Sequence, residues 1–172
     1  MRHTFIALGC ALAVTGCSGL AVLEGGYARS VSTSRNAVQV NAHAGFGSEL
    51  TAGGNDSGAG FQLRTKFGTD LAQVGLGPHF YLLTAGQFLG LSKGWASAGF
   101  LRAGVDLLQL GAIDGHGNVG IFSPYADLGW LVINPGISLS VGAHYDVRLS
   151  SAKNDLWLGA AIGFGFAPTT KT

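Results

Sequence analysis

Alternation of apolar and polar residues recurs along most of this chain, and it restricts the fold more than any other feature. In residues 137–149 every second residue is apolar, and the residues between are polar or small. Successive side chains of a β-strand point to opposite faces, so this period predicts a strand with one apolar face. Similar segments lie at 37–47, 60–68, 72–83, 95–109, 119–133 and 155–166, and a weaker one lies at 22–32.

Turn-forming residues separate these segments. Gly, Asn, Asp and Pro cluster at 53–56, 114–115, 134–136 and 153–154, where they favour reversals of the chain. Beyond the first residues, no apolar run reaches the length of a transmembrane helix. The sequence therefore predicts an all-β fold, a single antiparallel up-and-down β-barrel of about eight strands.

The chain begins with features of an export signal. Residues 5–16 are an apolar run that is too short to span a membrane but fits a secretory signal peptide. The run ends in Val14, Thr15, Gly16 and Cys17, which resembles the bacterial lipobox, where a branched and two small residues precede an invariant cysteine. The resemblance implies cleavage before Cys17 and acylation of its thiol. Ser18 after the cysteine favours the outer membrane over retention at the inner membrane.

These features divide the chain into four parts. We predict a signal peptide at 1–16, a lipidated N-terminal segment at 17–36 that holds the weaker strand, a barrel at 37–166 and a tail at 167–172. The other cysteine of the chain, Cys10, is removed with the signal peptide, so no disulfide framework is expected.

The low proportion of charged residues indicates which face of the barrel meets water. Charged residues are 11% of the chain, against about 25% in typical soluble domains, which is sparse for a water-facing coat. A barrel with its apolar face toward lipid and its polar face toward a narrow lumen needs fewer charged residues than a soluble barrel does. In such a lumen the buried charges must be paired. The charged and histidine side chains predicted to form this lumen network are Arg64, Lys66, Arg102, Asp106, Asp127, His144, Asp146 and Arg148.

Three motifs add a resemblance to a family. Residues 123–129, 142–148 and 75–78 are similar to strand patterns of small outer-membrane β-barrel proteins. The resemblance implies an outer-membrane location and contact with membrane lipid. Two departures stand out: such barrels usually end on a terminal aromatic residue, whereas Phe166 is followed by six further residues, and a lipobox is unusual on a barrel.

His144 and Asp146 form the strongest catalytic candidate. They point to the same face of one strand, and barrel enzymes that act on lipid A use a His-based triad. In one such family the position of Asp146 carries serine, so we predict a structural rather than a catalytic pair. Because residues two apart on a strand are about 6.5–7 Å apart, we expect cross-strand partners such as Asp127 or Arg102 to serve them better.

Other site classes have little support. His43, His79 and His144 lack the spacing of a metal motif, and no cofactor-binding motif is present. A net charge of +1 does not indicate a nucleic-acid partner.

We therefore predict a lipid-anchored outer-membrane β-barrel with a structural or interaction role in the bacterial envelope, whose protein partners the sequence does not identify. Two alternatives stay open at this point. One is a periplasmic lipoprotein whose soluble barrel binds an apolar ligand, and the other is a lipid A-modifying barrel enzyme.

Overall fold

The computed structural model describes residues 18–47, 55–85, 97–132, 136–149 and 153–166. These residues form one closed barrel in which each strand pairs antiparallel with the next and the last pairs with the first. No helix in this part of the chain is long and apolar enough to cross a membrane. The strands are β1 (Ser18–Ser30), β2 (Asn36–Gly47), β3 (Asn55–Gly68), β4 (Leu71–Ala85), β5 (Ser97–Ile113), β6 (His116–Val132), β7 (Ile137–Asp146) and β8 (Asp155–Phe166).

The predicted all-β, up-and-down barrel is confirmed, and the weak segment at 22–32 belongs to a complete strand. β1 pairs with β2 on one side and with β8 on the other, so it closes the barrel. The two charges in this segment are compatible with a strand, because Glu24 points into the lumen and Arg29 lies exposed near the strand end. The barrel therefore includes Ser18–Ser30 as well as the segment from 37 to 166.

The register of the ladder shows that the strands are strongly tilted. Following paired residues once around the barrel from Gly19 leads back to β1 at Arg29, ten residues further along. Such an offset requires the strands to cross the barrel axis obliquely, at roughly 35–45° in barrels of this kind. The path runs through Gly19, Phe46, Ala59, Phe80, Ala103, Ala126, Ala143, Leu158 and Arg29.

The two faces of the wall differ completely in polarity. Large apolar side chains point outward, and Phe80 and Phe164 keep 70% and 69% of their surface exposed. Charged side chains point inward, where Lys66 and Arg102 keep 1% and 2%. The period of two in the sequence is thus the alternation between these two faces.

The neighbouring strands β5 and β6 each contain one extra residue, and the two extra residues lie at the same height along the barrel axis, called here one level. Between β4 and β5 the register shifts by one residue after Leu76, and β5 contains the additional residue. Between β6 and β7 a matching shift separates the Tyr125–His144 pair from the Gly120–Arg148 bridge. The register between β5 and β6 is the same on both sides of this level. The two bulges therefore form a single paired irregularity.

Leu107 and Phe122 are the extra residues. Both point outward, neither belongs to the β5–β6 ladder, and Phe122 has a positive φ of 49°. Proline cannot donate to a ladder and is therefore found at strand starts or bulges. Pro78 lies within the β4–β5 shift and Pro124 within the β6–β7 shift, as this rule expects.

Connection lengths differ between the two ends of the barrel. The end that holds the start of β1 and the end of β8 is called here the terminal end, and it carries connections 48–54, 86–96 and 133–136. The opposite end carries 31–35, 69–70, 114–115 and 147–154, and is called the short-turn end. At 114–115 the φ angles of 51° and 74° fit the two-residue turn that Asp-Gly sequences favour in hairpins.

We expect deletion of Leu107 and Phe122 together to harm folding less than deletion of either residue alone. A single deletion leaves β5 and β6 out of step, whereas the double deletion keeps their register and gives β4–β5 and β6–β7 regular ladders. Heat-dependent gel mobility in detergent would report the folded fraction of the three variants. Additive losses in the double deletion would contradict a paired bulge.

Candidate functional site: the barrel lumen

Asp146 on β7 organises the part of the lumen nearer the short-turn end. Its carboxylate accepts a hydrogen bond from Lys66 Nζ at 2.8 Å and others from Arg148 Nη2 at 3.3 Å and Gln109 Nε2 at 3.2 Å. Asp155 lies 3.7 Å from Arg148 Nη2 through its Oδ2. Two carboxylates therefore balance two cations in this buried cluster.

The same cluster also links β1 to β8, the two strands whose pairing closes the barrel. The hydroxyl of Ser30, the last residue of β1, donates to Asp155 Oδ1 at 2.6 Å, and Asp155 begins β8. Thr33 Oγ1, in the turn after β1, donates to the other oxygen of Asp155 at 3.2 Å. The carboxylate thus links the first and last strands as well as balancing charge.

Asp106 on β5 occupies the centre of the lumen. Gln62 Nε2 donates to its Oδ1 at 2.5 Å, and Gln109 Nε2 donates to its Oδ2 at 3.2 Å. His144 Nε2 lies 3.2 Å from Asp106 Oδ2 and 3.3 Å from Asp146 Oδ1. The expectation that Asp127 or Arg102 would serve His144 and Asp146 is wrong. The tilt of the strands brings β5 and β7 together across the lumen, so His144 contacts Asp106, and the two residues of the pair also contact each other along β7.

Glu24 and Arg102 form the main ion pair toward the terminal end. Arg102 Nη2 donates to Glu24 Oε2 at 2.8 Å and to Asp127 Oδ2 at 3.3 Å. Arg64 Nη2 lies 3.7 Å from the same Asp127 oxygen, and its guanidinium stacks 4.3 Å from the centroid of the Tyr125 ring. Asp127 is thus shared by two arginines.

Two histidines extend this cluster. His43 Nε2 lies 3.5 Å from Glu24 Oε2, and the His43 and His79 rings meet edge to face with centroids 5.5 Å apart. Across the residues that the structure describes, no group of three or more His, Cys, Asp and Glu side chains is arranged to hold a metal ion.

The structure places all eight predicted lumen residues inside the barrel, seven of them buried and Asp127 partly buried. Sequence reasoning missed Glu24 and Asp155, both fully buried. Glu24 had a usable signal, because it lies between the outward positions Leu23 and Gly25 in the same alternation as its neighbours. Asp155 is the first residue of its strand, where the alternation gives little information.

Apolar side chains are also buried in the lumen, toward both of its ends. Toward the short-turn end they form a buried cluster: Ala28, Ala37, Leu71, Ile113 and Trp157. Toward the terminal end Val22, Tyr81 and Leu131 are buried, and the Val22 and Leu131 side chains both approach Gly165. Between them a cavity of about 10 Å³, lined in part by Arg64 and Ser140, has room for about one water molecule.

His144 Nε2 contacts Asp106, Gln109 and Asp146. Within the described part of the chain, no serine or threonine hydroxyl forms a hydrogen bond with this histidine. The nearby Ser123 Oγ instead accepts a hydrogen bond from the Val147 backbone N–H at 2.9 Å. Cys17, the predicted lipidation site, lies outside the described residues.

Asp146→Asn should lower the unfolding temperature of the barrel strongly. The change removes the charge that balances Lys66 and Arg148, and breaking a buried ion pair costs about 3–5 kcal/mol. Asp114→Asn is the matched control, because Asp114 pairs with Arg35 at the exposed end, where such pairs contribute about 0–1 kcal/mol. Thermal unfolding in detergent measures both, and equal shifts would contradict the role assigned to Asp146.

Comparison with known proteins gives one informative likeness. No protein-family model and no curated protein sequence matches the chain. Among solved structures, neisserial surface protein A, a small outer-membrane β-barrel, matches with a TM-score of 0.54 and 11% sequence identity. The match covers 88% of this chain and 97% of that protein. The chain thus has the eight-stranded barrel fold of a small bacterial surface protein.

Proposed function

We propose that this protein is an integral outer-membrane β-barrel, anchored in addition by an acylated Cys17, with a structural or interaction role in the envelope. One observation carries the proposal. Among the outward strand positions whose side chains are described, Arg29 is the only charged residue, and it is next to the last residue of β1. A wall of apolar side chains around a charged lumen suits lipid outside and is unfavourable in water.

Strand lengths and aromatic positions support the same proposal. The strands have 10 to 17 residues, and a tilted strand needs about 9–11 to cross a bilayer. Outward aromatic residues lie near both ends of the wall, with Phe46 and Phe164 toward the terminal end and Tyr27 and Phe67 toward the short-turn end. Aromatic girdles at both interfaces are typical of membrane barrels.

The two alternatives receive less support from the lumen. An apolar ligand needs an apolar, open interior, and the described interior is charged and filled. Catalysis on lipid A needs a nucleophile or an activated water near His144, which instead contacts two carboxylates and an amide. A change in the acyl chains of lipid A that depends on His144 would contradict the non-catalytic assignment.

Arginine substitutions at two depths test the position in the membrane. Val141 is exposed on the middle of β7, and Leu149 is exposed beyond the end of that strand. We expect Val141→Arg to cost about 2–4 kcal/mol and Leu149→Arg about 0–1 kcal/mol, because the penalty for a charge falls toward the interface. Urea unfolding in lipid vesicles measures both. If both variants are as stable as wild type, the outer wall faces water.

Two measurements on the N-terminus separate the anchor from the barrel. Cys17→Ala should abolish labelling by a palmitate analogue, since its thiol is the proposed attachment site. A version without Cys17, exported on an ordinary cleavable signal peptide, should stay in the membrane during carbonate extraction. Labelling that persists in Cys17→Ala would contradict the anchor. Extraction of the second version would mean that lipid alone holds the protein at the membrane.

A further inference from the structure

A shallow apolar cleft lies on the outer wall beside the start of the barrel. Its volume is about 320 Å³, and the outward residues Ala21, Leu23, Ala42 and Phe164 line it. Val22 and His43, whose side chains point into the lumen, also border it. These residues belong to β1, β2 and β8, and Leu23 pairs with Ala42 on one side and with Phe164 on the other. We propose that this cleft holds an acyl chain attached to Cys17, an inference that rests on the lipid anchor proposed above.

The attachment point leaves no spacer between lipid and barrel. Cys17 directly precedes Ser18, which is the first residue of β1 and pairs with Gly47. Ala21 follows Cys17 by four residues, a distance of roughly 13 Å along a strand. A lipid attached there must enter the bilayer against the wall near β1, because no chain is available to carry it further away.

The cleft is open in the direction that such a chain would take. Gly25 is the next outward position of β1 after Leu23, and it is exposed. An added Cβ at Gly25 would meet no atom within 4 Å. Gly25 thus leaves open space on the wall just beyond Leu23, between its paired neighbours Val40 and Ile162.

A second patch of small residues serves as an internal comparison. Ala103, Ala126 and Ala143 are paired in register across β5, β6 and β7, and all three face outward. This patch is made of similarly small residues but lies on strands far from β1 in the order of the barrel. Bulk lipid has access to both patches, whereas a chain attached at Cys17 starts beside the first.

Photocrosslinking in the native membrane tests the proposal. Cells expressing the full-length protein are fed a palmitate analogue that carries a photoreactive group, irradiated, and the crosslinked peptides are located by mass spectrometry. We expect crosslinks to concentrate at residues 21–25, 40–44 and 160–164. Gly25→Leu, whose Cβ would meet no atom within 4 Å and whose side chain would occupy the open space beyond Leu23, should lose most of these crosslinks while total labelling is unchanged. Ala126→Leu, in the comparison patch, should keep them.

The outcomes distinguish this inference from the anchor itself. Labelled protein with crosslinks spread evenly over all strands, or concentrated around Ala126, would overturn the cleft as the acyl site and leave the anchor standing. Unlabelled wild-type protein would overturn both. The wild-type crosslink map decides the question even if Gly25→Leu fails to fold, which gel mobility in detergent would reveal.

Discussion

Pairing of buried charge is the constraint on which the rest of this barrel depends. Four cations and five carboxylates lie in the lumen with little or no exposure to solvent, so each charge needs a partner inside the wall. Asp146, Asp106 and Asp127 each contact groups from more than one other strand. Removing one member would leave its partners buried and unpaired, which costs far more than the pair contributes. A strand shifted by one residue would leave these charges without their partners, so the network disfavours other registers of the barrel.

That constraint explains why so much of the fold could be read from the sequence. The alternation in residues 137–149 predicts a strand, and the few charges on its polar face can be satisfied only if several such strands face each other. His144, Asp146 and Arg148 were therefore assigned correctly to one interior face. Their partners could not be predicted in the same way, because strand tilt decides which distant strands meet across the lumen. Asp106 and Lys66 reach this face from β5 and β3.

The paired bulge could not be predicted from the sequence, for a different reason. Leu107 and Leu108 are consecutive apolar residues, as are Ile121 and Phe122, and each pair reverses the phase of the alternation. Read one strand at a time, such a reversal resembles noise in the pattern. Its meaning becomes visible only when the two strands are paired and the reversals fall at the same level. Inward positions on both sides of that level, Asp106 and Gln109, then remain in contact in the lumen.

Some of the glycines leave room for charged side chains in this narrow barrel. The chain has 29 glycines, and several face inward beside large polar groups. A Cβ on Gly142 would stand 1.9 Å from Asp127 Oδ1, and one on Gly75 would stand 2.6 Å from Asp106 Oδ2. Side chains at these positions would displace the carboxylates from their partners. Small residues on one strand thus provide the space for the ion pairs of the next. A lumen filled in this way has little free volume, so in the proposed role the outer wall and the two ends would be the surfaces that act.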